Sequence, residues 1–292
     1  MESSVSSSSE RHAKAPQIPG KTAGVSCLIP VSATILTFNS AKYLSLVLDA
    51  LRAFDEILIL DSGSTDSTLE IARRYPSVRI QRTVFKGFGA LHNEAVKLAR
   101  NDWIFSVDSD EIVSPALLSE IRNLKLRDGT VYAVPFRNYF GNQWIQHCGW
   151  HPEHHVRLFN RRRTGFSDAQ VHEGIITEGM ETVLLCAPIL HYSYSEARDF
   201  LTKIQLYSDL YALENAGRKQ SSLGKAISHS LWCFFKSYIL QHGFLGGRVG
   251  FMIALANSEC VYYKYLKLLE ANNNCGKHAL NSSVSPGRRS RG

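Results

Sequence analysis

The sequence predicts an α/β protein in which helices cover both faces of a mostly parallel sheet and a C-terminal helical region follows. Apolar, β-branched segments alternate with amphipathic ones from residue 31 to the helix that Pro115 begins, as in successive strand–helix units. The strand segments are apolar throughout, as in EILILD at 56–61, which is typical of parallel strands buried on both faces. Beyond residue 195, apolar residues recur at helical spacing, as do Phe200, Ile204, Tyr207 and Tyr211.

The elements of the first half can be assigned in chain order. The predicted strands are 31–38, 56–61, 77–82 and 103–108, and helices follow them from about residues 40, 67, 89 and 115. Asn39 or Ser40 can cap the first helix. Ser67 and Glu70 have the spacing of a capping box for the second, and Pro115 suits the first turn of the fourth.

Composition divides the 292 residues into four parts. Residues 1–29 are polar, Ser-rich and without the apolar core of a signal peptide, so we expect a disordered tail. Residues 30–195 carry the α/β pattern and form the predicted catalytic domain. Residues 196–270 are predicted to be helical, and the polar, basic residues 271–292 to form a second disordered tail.

Charge and cysteine content exclude two classes of protein. Of the formal net charge of +7, the two tails account for all but about +2, which argues against a dedicated nucleic-acid-binding protein. The six cysteines include no CxxC pair and no disulfide-like spacing. We therefore expect reduced thiols and a cytoplasmic location.

Polar side chains follow three of the predicted strands. Asn39 follows the first, Asp61 ends the second, and Asp108 and Asp110 follow the fourth. Because ligands of open α/β sheets bind beyond the carboxyl ends of the strands, we expect these side chains at one binding site. Asp66, in the same region, fits a helix cap equally well.

The closely spaced Asp108 and Asp110 indicate a cation site. Two adjacent carboxylates repel each other and need a counter-charge. Without a nearby Cys or His they suit Mg²⁺ or Mn²⁺, which typically bridges to substrate phosphates. The sequence has neither GxxxxGK[ST] nor GxGxxG after its first strand, which argues against P-loop and dinucleotide-binding enzymes. A metal-bound nucleoside diphosphate remains.

Four segments together resemble the family 2 glycosyltransferases of the GT-A fold, and within them the lipopolysaccharide core β-glucosyltransferase branch. The segments are TILTFNSAKYL, EILILDSGSTDSTLEIA, GFGALHNEAVKLARNDWIFSVDSDE and VHEG, and the resemblance runs from about Val31 to Leu269. It implies an inverting enzyme that moves a hexose from a nucleoside-diphosphate sugar to a glycolipid. In that branch the donor would be UDP-glucose and the acceptor of lipopolysaccharide-core type.

The resemblance also implies roles for individual residues. Asp61 matches the residue that contacts the nucleotide base, Asp108 the one that contacts the ribose, and Asp110 the one that holds the metal. The full predicted donor-binding set is Thr37, Asn39, Asp61, Lys86, Asn93, Asp108 and Arg157. At Ser62 many relatives have a second Asp, so the division of the base contact stays open.

The general base is expected in the aromatic, His- and Arg-rich stretch 137–175, which suits an acceptor-binding insertion. A base must take the proton of the acceptor hydroxyl on the face opposite the leaving group. The VHE motif recurs in the resembled branch, which makes Glu173 the predicted base and His172 a metal or diphosphate contact. Asp168 is the alternative base, and Glu173 could instead pair with a nearby Arg.

The most apolar region, 230–269, is interrupted by Lys236, His242 and Arg248, so no charge-free stretch has the roughly 18 residues of a spanning helix. Its aromatic residues and scattered bases suit a helix lying in a membrane interface. A helical cover packed on the sheet domain is the alternative. We favour a peripheral location on the cytoplasmic face of a membrane.

Two other functions remain open from the sequence. A metal-dependent nucleotidyltransferase would use paired acids in a similar way but would release pyrophosphate. A non-catalytic, membrane-surface binding protein of the same fold would need neither metal nor base, and the retained strand-end acids argue against it.

Overall fold

The computed structural model of the protein describes residues 28–167 and 174–283. Within these ranges, ten strands form one sheet. The strands are β1 (Ile29–Thr37), β2 (Phe54–Asp61), β3 (Val78–Arg82), β4 (Trp103–Asp108), β5 (Glu111–Val113), β6 (Thr130–Phe140), β7 (Gln143–Trp144), β8 (His154–Asn160), β9 (Glu181–Leu184) and β10 (Ile189–Tyr194). The α-helices are α1 (Ala41–Ala50), α2 (Thr68–Arg73), α3 (Phe88–Leu98), α4 (Pro115–Asn123), α5 (Ala197–Asn215), α6 (Leu223–Phe235) and α7 (Gly247–Ser283).

The sheet has a parallel half and a mixed half. Its strand order is β3-β2-β1-β4-β8-β6-β10-β5, with β7 and β9 also paired to β6. Strands β3, β2, β1 and β4 are parallel to their neighbours in this order, as predicted. Strand β8 then runs antiparallel between β4 and β6, and β5 runs antiparallel to β10. The α/β class with a C-terminal helical region is confirmed.

Helices on both faces of the sheet explain why EILILD is apolar throughout. Ile57 and Ile59 belong to the main hydrophobic core, which contains Leu44 and Leu48 of α1. The alternate residues of the same strand, Leu58 and Leu60, belong to a separate cluster with Leu91 and Ala95 of α3. Because successive side chains of a strand point to opposite faces, both sets must be apolar to be buried.

Asp66 satisfies the first turns of two helices, which corrects the predicted caps. Its Oδ2 accepts a hydrogen bond from Ala41 N at the start of α1 (3.2 Å), and its Oδ1 accepts one from Thr68 N at the start of α2 (3.0 Å). The capping box predicted at Ser67 and Glu70 is wrong, because the Ser67 side chain makes no cap hydrogen bond. The carboxylate of Asp66 accepts the hydrogen bonds at the starts of both helices in place of the predicted capping box.

The C-terminal helices pack on the loop between β7 and β8. Ile145 and Cys148 of this loop share an apolar cluster with Phe200 and Ile204 of α5 and with Ile253 of α7. A π-helical turn (Lys236–Leu240) and a 3-10 turn (Gly243–Gly246) connect α6 to α7.

Helix α7 continues beyond residue 270, where the sequence analysis placed the start of a disordered tail. Asn272 accounts for part of this difference, because its amide accepts a hydrogen bond from Gly217 N (2.8 Å) and donates one to Lys219 O (2.8 Å). In the described part of the chain, no single helix is long and apolar enough to cross a membrane. One bent pair, Leu223–Leu240 with Gly243–Asn274 at 70°, has the required length and composition only when taken together.

Candidate active site

Asp61 lies fully buried at the carboxyl end of β2, where it organises the loop that follows. Its Oδ1 accepts hydrogen bonds from Gly63 N (3.1 Å) and Ser64 N (3.0 Å). Its Oδ2 accepts one from Thr37 Oγ1 on the neighbouring strand (2.9 Å) and another from Ser64 Oγ (2.5 Å). Burial alone would raise the pKa of Asp61, but these hydrogen bonds outweigh it and lower the pKa.

Asn39 completes the same loop from the end of β1. It has a left-handed backbone (φ 51°), which an Asn tolerates better than most residues. Its Oδ1 accepts hydrogen bonds from Thr65 N (2.8 Å) and Asp66 N (3.3 Å), and its own N donates to Ser64 Oγ (2.9 Å). The structure thus brings Thr37, Asn39 and Asp61 together. Their contact with a nucleotide stays a prediction, because the Asp61 oxygens already bind the loop.

Arg157 supplies a counter-charge that the sequence analysis did not foresee. It reaches from β8 to the end of β4, where its Nη2 contacts Asp108 Oδ2 (3.2 Å) and the Glu111 carboxylate. Glu111 is 1% exposed, and its Oε2 also accepts a hydrogen bond from Asp108 N (3.0 Å). Arg157 is therefore a counter-charge for Asp108 in addition to the cation that the sequence predicts at this pair. The Arg157 side chain, predicted to contact the donor, is instead occupied by these two acids.

The charges around Asp108 keep it ionised. Burial raises the pKa of Asp108, but Arg157, His92 and His191 together lower it to about 2. Arg157 itself is 13% exposed, and its Nε is buried without a hydrogen-bond partner among the described residues. Asp108 is 43% exposed, so one side of an ionised carboxylate faces the open edge of the sheet.

Asp110 has a different environment from Asp108. Its Oδ1 lies 3.7 Å from His191 Nε2, and a third of its side chain is exposed. His191 Nδ1 lies 2.8 Å from Asn138 Oδ1, and the Asn138 amide nitrogen contacts Glu153. Because Asn138 Oδ1 can only accept, the network assigns the proton to Nδ1, and the Nε2 lone pair accepts a hydrogen bond from Ser193 Oγ (2.9 Å) on the side of Asp110. Burial lowers the pKa of His191, which favours this neutral form.

The side chains around Asp110 fit a divalent metal only in part. One carboxylate and one neutral imidazole nitrogen are suitable ligands for Mn²⁺. Among residues 28–167 and 174–274, no three His, Cys, Asp or Glu side chains converge as a metal site. A metal here would take its other ligands from water and a diphosphate, as Mg²⁺ sites in phosphate-binding enzymes commonly do.

Asn93 and Lys86 lie apart from the two acids. Asn93 donates a hydrogen bond to Phe166 O (2.9 Å) and accepts one from Phe166 N (3.0 Å), so both ends of its amide hold the segment near 166. Lys86 is exposed, with its Nζ 3.8 Å from Glu94 Oε2. The Asn93 amide is thus occupied by Phe166, and Lys86 lies beside Glu94. The donor contacts of both residues stay predictions.

The predicted bases and the predicted His ligand, Asp168, Glu173 and His172, lie outside the described residues. The chain on either side of them is fixed. Ser167 N donates to Gly174 O (2.9 Å), and Phe166 forms an isolated bridge with Ile175.

Sequence reasoning missed four residues of this site: Phe38, His92, Glu111 and His191. His92 is buried, and its ring stacks on Phe166 at 4.3 Å between centroids. Burial lowers the pKa of His92 to about 4, so it is neutral at pH 7. Phe38 is 62% exposed directly after β1. An exposed Phe beside Asn39 and a third acid directly after Asp110 were signals available in the sequence, whereas the two histidines gave none.

Comparison with known proteins gives the family. The family model described as "Glycosyl transferase family 2" matches residues 32–177, half of the chain. The chain is 25% identical over 256 residues to an uncharacterized glycosyltransferase of Rickettsia felis, covering 82% of this chain and 90% of that protein. It is 25% identical over 265 residues to the lipopolysaccharide core biosynthesis glycosyltransferase LpsC of Rhizobium meliloti, covering 86% and 94%.

Among solved structures, the mannosyltransferase PcManGT from Pyrobaculum calidifontis, in complex with GDP-Man and Mn²⁺, matches with a TM-score of 0.44 and 17% identity. The match covers 88% of this chain and 81% of that one. The family match spans all the strand-end acids and Arg157. The chain therefore belongs to the family 2 glycosyltransferases, enzymes that transfer a sugar, and its α/β sheet is of the GT-A type.

Proposed function

We propose that the chain transfers a hexosyl group, with inversion, from a nucleoside-diphosphate sugar to a hydroxyl of a glycolipid. The proposed donor is UDP-glucose and the proposed acceptor is of lipopolysaccharide-core type. One observation carries the proposal: Asp108 and Asp110 stand in separate environments beside the loop organised by Asp61. The similarity to LpsC, a lipopolysaccharide core biosynthesis glycosyltransferase, supports the acceptor class.

The separate environments suit separate roles towards the donor. Asp108 is ionised and held by Arg157, so its open side can accept hydrogen bonds from ribose hydroxyls. Asp110 and His191, with His172 as a further candidate, would hold Mg²⁺ or Mn²⁺. Bound there, the metal would stabilise the negative charge that develops on the leaving diphosphate.

A carboxylate in the segment 168–173 is the proposed base. Glu173, or Asp168 in its place, would take the acceptor hydroxyl proton while the acceptor oxygen bonds to the anomeric carbon and the bond to the diphosphate oxygen breaks. The neighbouring contacts support this location, because Asn93 and His92 both hold Phe166 and His92 lies close enough to lower the pKa of Asp108.

The acceptor side is proposed to face a membrane surface. Residues 216–258 contain five Lys or Arg and no Asp or Glu. The same segment has many large apolar side chains exposed, which include Leu223, Ile227, Leu231, Trp232, Phe235, Ile239, Leu240, Phe244, Leu245 and Phe251. An exposed apolar face rimmed only by bases suits the interface of an anionic bilayer. We place it on the cytoplasmic face, where a nucleotide-sugar donor would be available.

Vesicle flotation tests the membrane contact. The wild-type chain is expected to float with phosphatidylglycerol-containing vesicles and less with phosphatidylcholine alone. The double variant Leu231→Ser, Trp232→Ser should lose most of this binding. Leu213→Ser is the matched control, since Leu213 is equally exposed but lies on α5, outside the acid-free segment. Equal flotation of all three proteins, or none by the wild type, would contradict the contact.

A panel of sugar nucleotides, with and without a glycolipid acceptor, tests the reaction itself. We expect release of a nucleoside diphosphate and labelling of the lipid with one donor, and only when acceptor is present. Asp110→Asn should abolish both signals, and Asp128→Asn, an exposed acid paired with Arg163, should retain them. Release of pyrophosphate would indicate a nucleotidyltransferase, and binding without turnover a non-catalytic protein; either result overturns the proposal.

A further inference from the structure

Lys203 of α5 is a cation close to the site, and it has no role in the reaction proposed above. Its Nζ lies 4.3 Å from the centroid of the Tyr194 ring. Tyr194 is in turn fixed between Phe200 (4.6 Å between ring centroids) and Trp150 (5.0 Å). Reciprocal hydrogen bonds between Glu196 and Asp199 cap the start of the helix. The ammonium group is therefore held in a defined position.

Strand β10 contains both the Tyr194 ring that Lys203 contacts and the residues that contact Asp110. In β10, Tyr192 N donates to Asp110 O (3.0 Å), and His191 Nε2 lies 3.7 Å from Asp110 Oδ1. Tyr194 lies three residues beyond His191, after an irregularity in the pairing of β10 with β6. Besides burial, the charge of Lys203 lowers the pKa of His191, and the charges of Asp110 and Asp108 oppose the lowering of the Lys203 pKa by burial.

Lys203 has no close anion within the described ranges. No carboxylate oxygen there lies within 4.0 Å of its Nζ, whereas Lys267 of the same helical region pairs with Asp209 at 2.6 Å. Lys203 is partly buried, and this burial lowers its pKa despite the attraction of Asp110, Asp199 and Asp108. Holding a partly desolvated ammonium without a partner is unfavourable, so a bound anion would stabilise it.

The charged side chains near Lys203 indicate which kind of anion a ligand would have to bring to it. Arg157 is already occupied by Asp108 and Glu111, so Lys203 is a cation without a close carboxylate partner at the edge where a donor would bind. A diphosphate beside Asp110 would bring negative charge to that position. The ammonium can donate a hydrogen bond to a phosphate oxygen, and an amine with three donors suits such a role.

We propose that Lys203 binds the diphosphate of the nucleotide-sugar donor, so that the C-terminal helical region completes the donor site. This inference rests on the proposed function. When the bond between the anomeric carbon and the diphosphate oxygen breaks, its electron pair stays on that oxygen, and Lys203 stabilises the added charge without giving up a proton.

A structural role on the Tyr194 ring is the competing explanation. Lys264 and Lys219 provide matched cases, since their Nζ atoms lie 5.6 Å and 5.5 Å from the Tyr211 ring centroid, on another face of the helical region. If Lys203 only packs on its ring, replacing it should resemble replacing Lys264. If it binds the diphosphate, only the Lys203 variant should affect nucleotides that carry a second phosphate.

Calorimetry with UDP and UMP on the full chain separates these explanations. Lys203→Met should weaken UDP binding roughly tenfold or more while leaving UMP binding within a factor of about two. Lys203→Arg should retain most of the UDP affinity, and Lys264→Met should match the wild type for both nucleotides. Lys203→Gln provides the same comparison if the Met variant unfolds.

Three outcomes would overturn the inference. Wild-type UDP affinity in Lys203→Met would exclude a diphosphate contact, and equal losses for UDP and UMP would indicate a structural role. In both cases the wild type still binds UDP, so the proposed function would stand. A wild-type chain that binds no nucleoside diphosphate, of uridine or of the base identified with the donor panel, would overturn both.

Discussion

Replacing Arg157 with Met removes the one cation that contacts Asp108 and Glu111 within the described part of the chain. Glu111 is 1% exposed and Arg157 is 13% exposed, so water cannot replace the lost interaction. Removing one partner of a buried ion pair typically costs about 3 to 5 kcal/mol, because the other charge stays buried. We expect a loss of this size in the free energy of unfolding at pH 7.5.

The loss should depend on pH in a defined direction. In the wild type the pKa of Asp108 is about 2, below its ordinary value of 3.8. Its ionised form therefore contributes stability that is complete above the ordinary pKa and is lost as the pH falls towards 2. In the wild type, burial already raises the pKa of Glu111 well above its ordinary value despite Arg157. Without Arg157 the pKa of both acids would be higher still, and protonation would relieve their repulsion. The difference between variant and wild type should shrink as the pH falls.

Glu111 should account for most of this pH effect. Asp108 is 43% exposed, so solvent screening reduces its share to roughly 1 kcal/mol. Urea unfolding at pH 7.5 and pH 4.5, followed by circular dichroism, measures the difference. Adding Glu111→Gln to Arg157→Met should restore part of the stability at pH 7.5, since it removes the buried charge.

Arg163→Met is the control for this experiment. Arg163 pairs with Asp128, and both side chains are more than half exposed, so the substitution should cost less than about 1 kcal/mol at either pH. A cost of that size for Arg157→Met, or an equal loss at the two pH values, would refute the assignment of Arg157 as the counter-charge of the site.

Three further predictions concern the acids. Asp110→Asn should abolish transfer and weaken Mn²⁺ binding in a direct titration with little effect on urea unfolding; full activity, with or without chelator, would exclude the metal role. Glu173→Gln should bind donor normally yet transfer at least about a hundredfold more slowly. If Asp168→Asn behaves this way instead, Asp168 is the base. Asp61→Ala should weaken nucleotide binding by calorimetry and, because four hydrogen bonds end on its carboxylate, lower the unfolding free energy by roughly 2 kcal/mol or more; unchanged affinity would leave it a structural role only.

The parallel half of the sheet could be predicted because its pattern is local. Strands β1, β2 and β4 are apolar runs, and β1, β2 and β3 are each followed directly by a helix with its own periodicity. The mixed half could not. Strand β6 contains Pro135 within its apolar run, which weakens a strand prediction, and β9 is a short strand of mostly exposed residues. Strand β6 is fixed by pairing with β8 and β10, and β9 by pairing with β6, rather than by a local pattern.

The same division applies to the site. Thr37, Asn39 and Asp61 meet because they end or follow adjacent parallel strands, which the sequence predicts. Arg157 and His191 come from the antiparallel β8 and from β10, and nothing near them in the sequence indicates an acidic neighbour. Their partners depend on register across the mixed half of the sheet, and that register is set by tertiary packing rather than by any local motif.

This dependence explains why two acids only one residue apart can have different chemistry. Asp108 and Asp110 leave β4 together, but the mixed half of the sheet presents a permanent cation to one and a neutral imidazole to the other. Arg157 cannot lose its proton, so Asp108 remains an ionised acceptor at any pH the protein meets. The neutral His191 adds no positive charge beside Asp110, which keeps that carboxylate available to a metal. The family match ends at residue 177, before His191 and Lys203. The cation beside Asp108 therefore lies within the family match, whereas the imidazole beside Asp110 and the cation proposed to meet the diphosphate come from the chain beyond it.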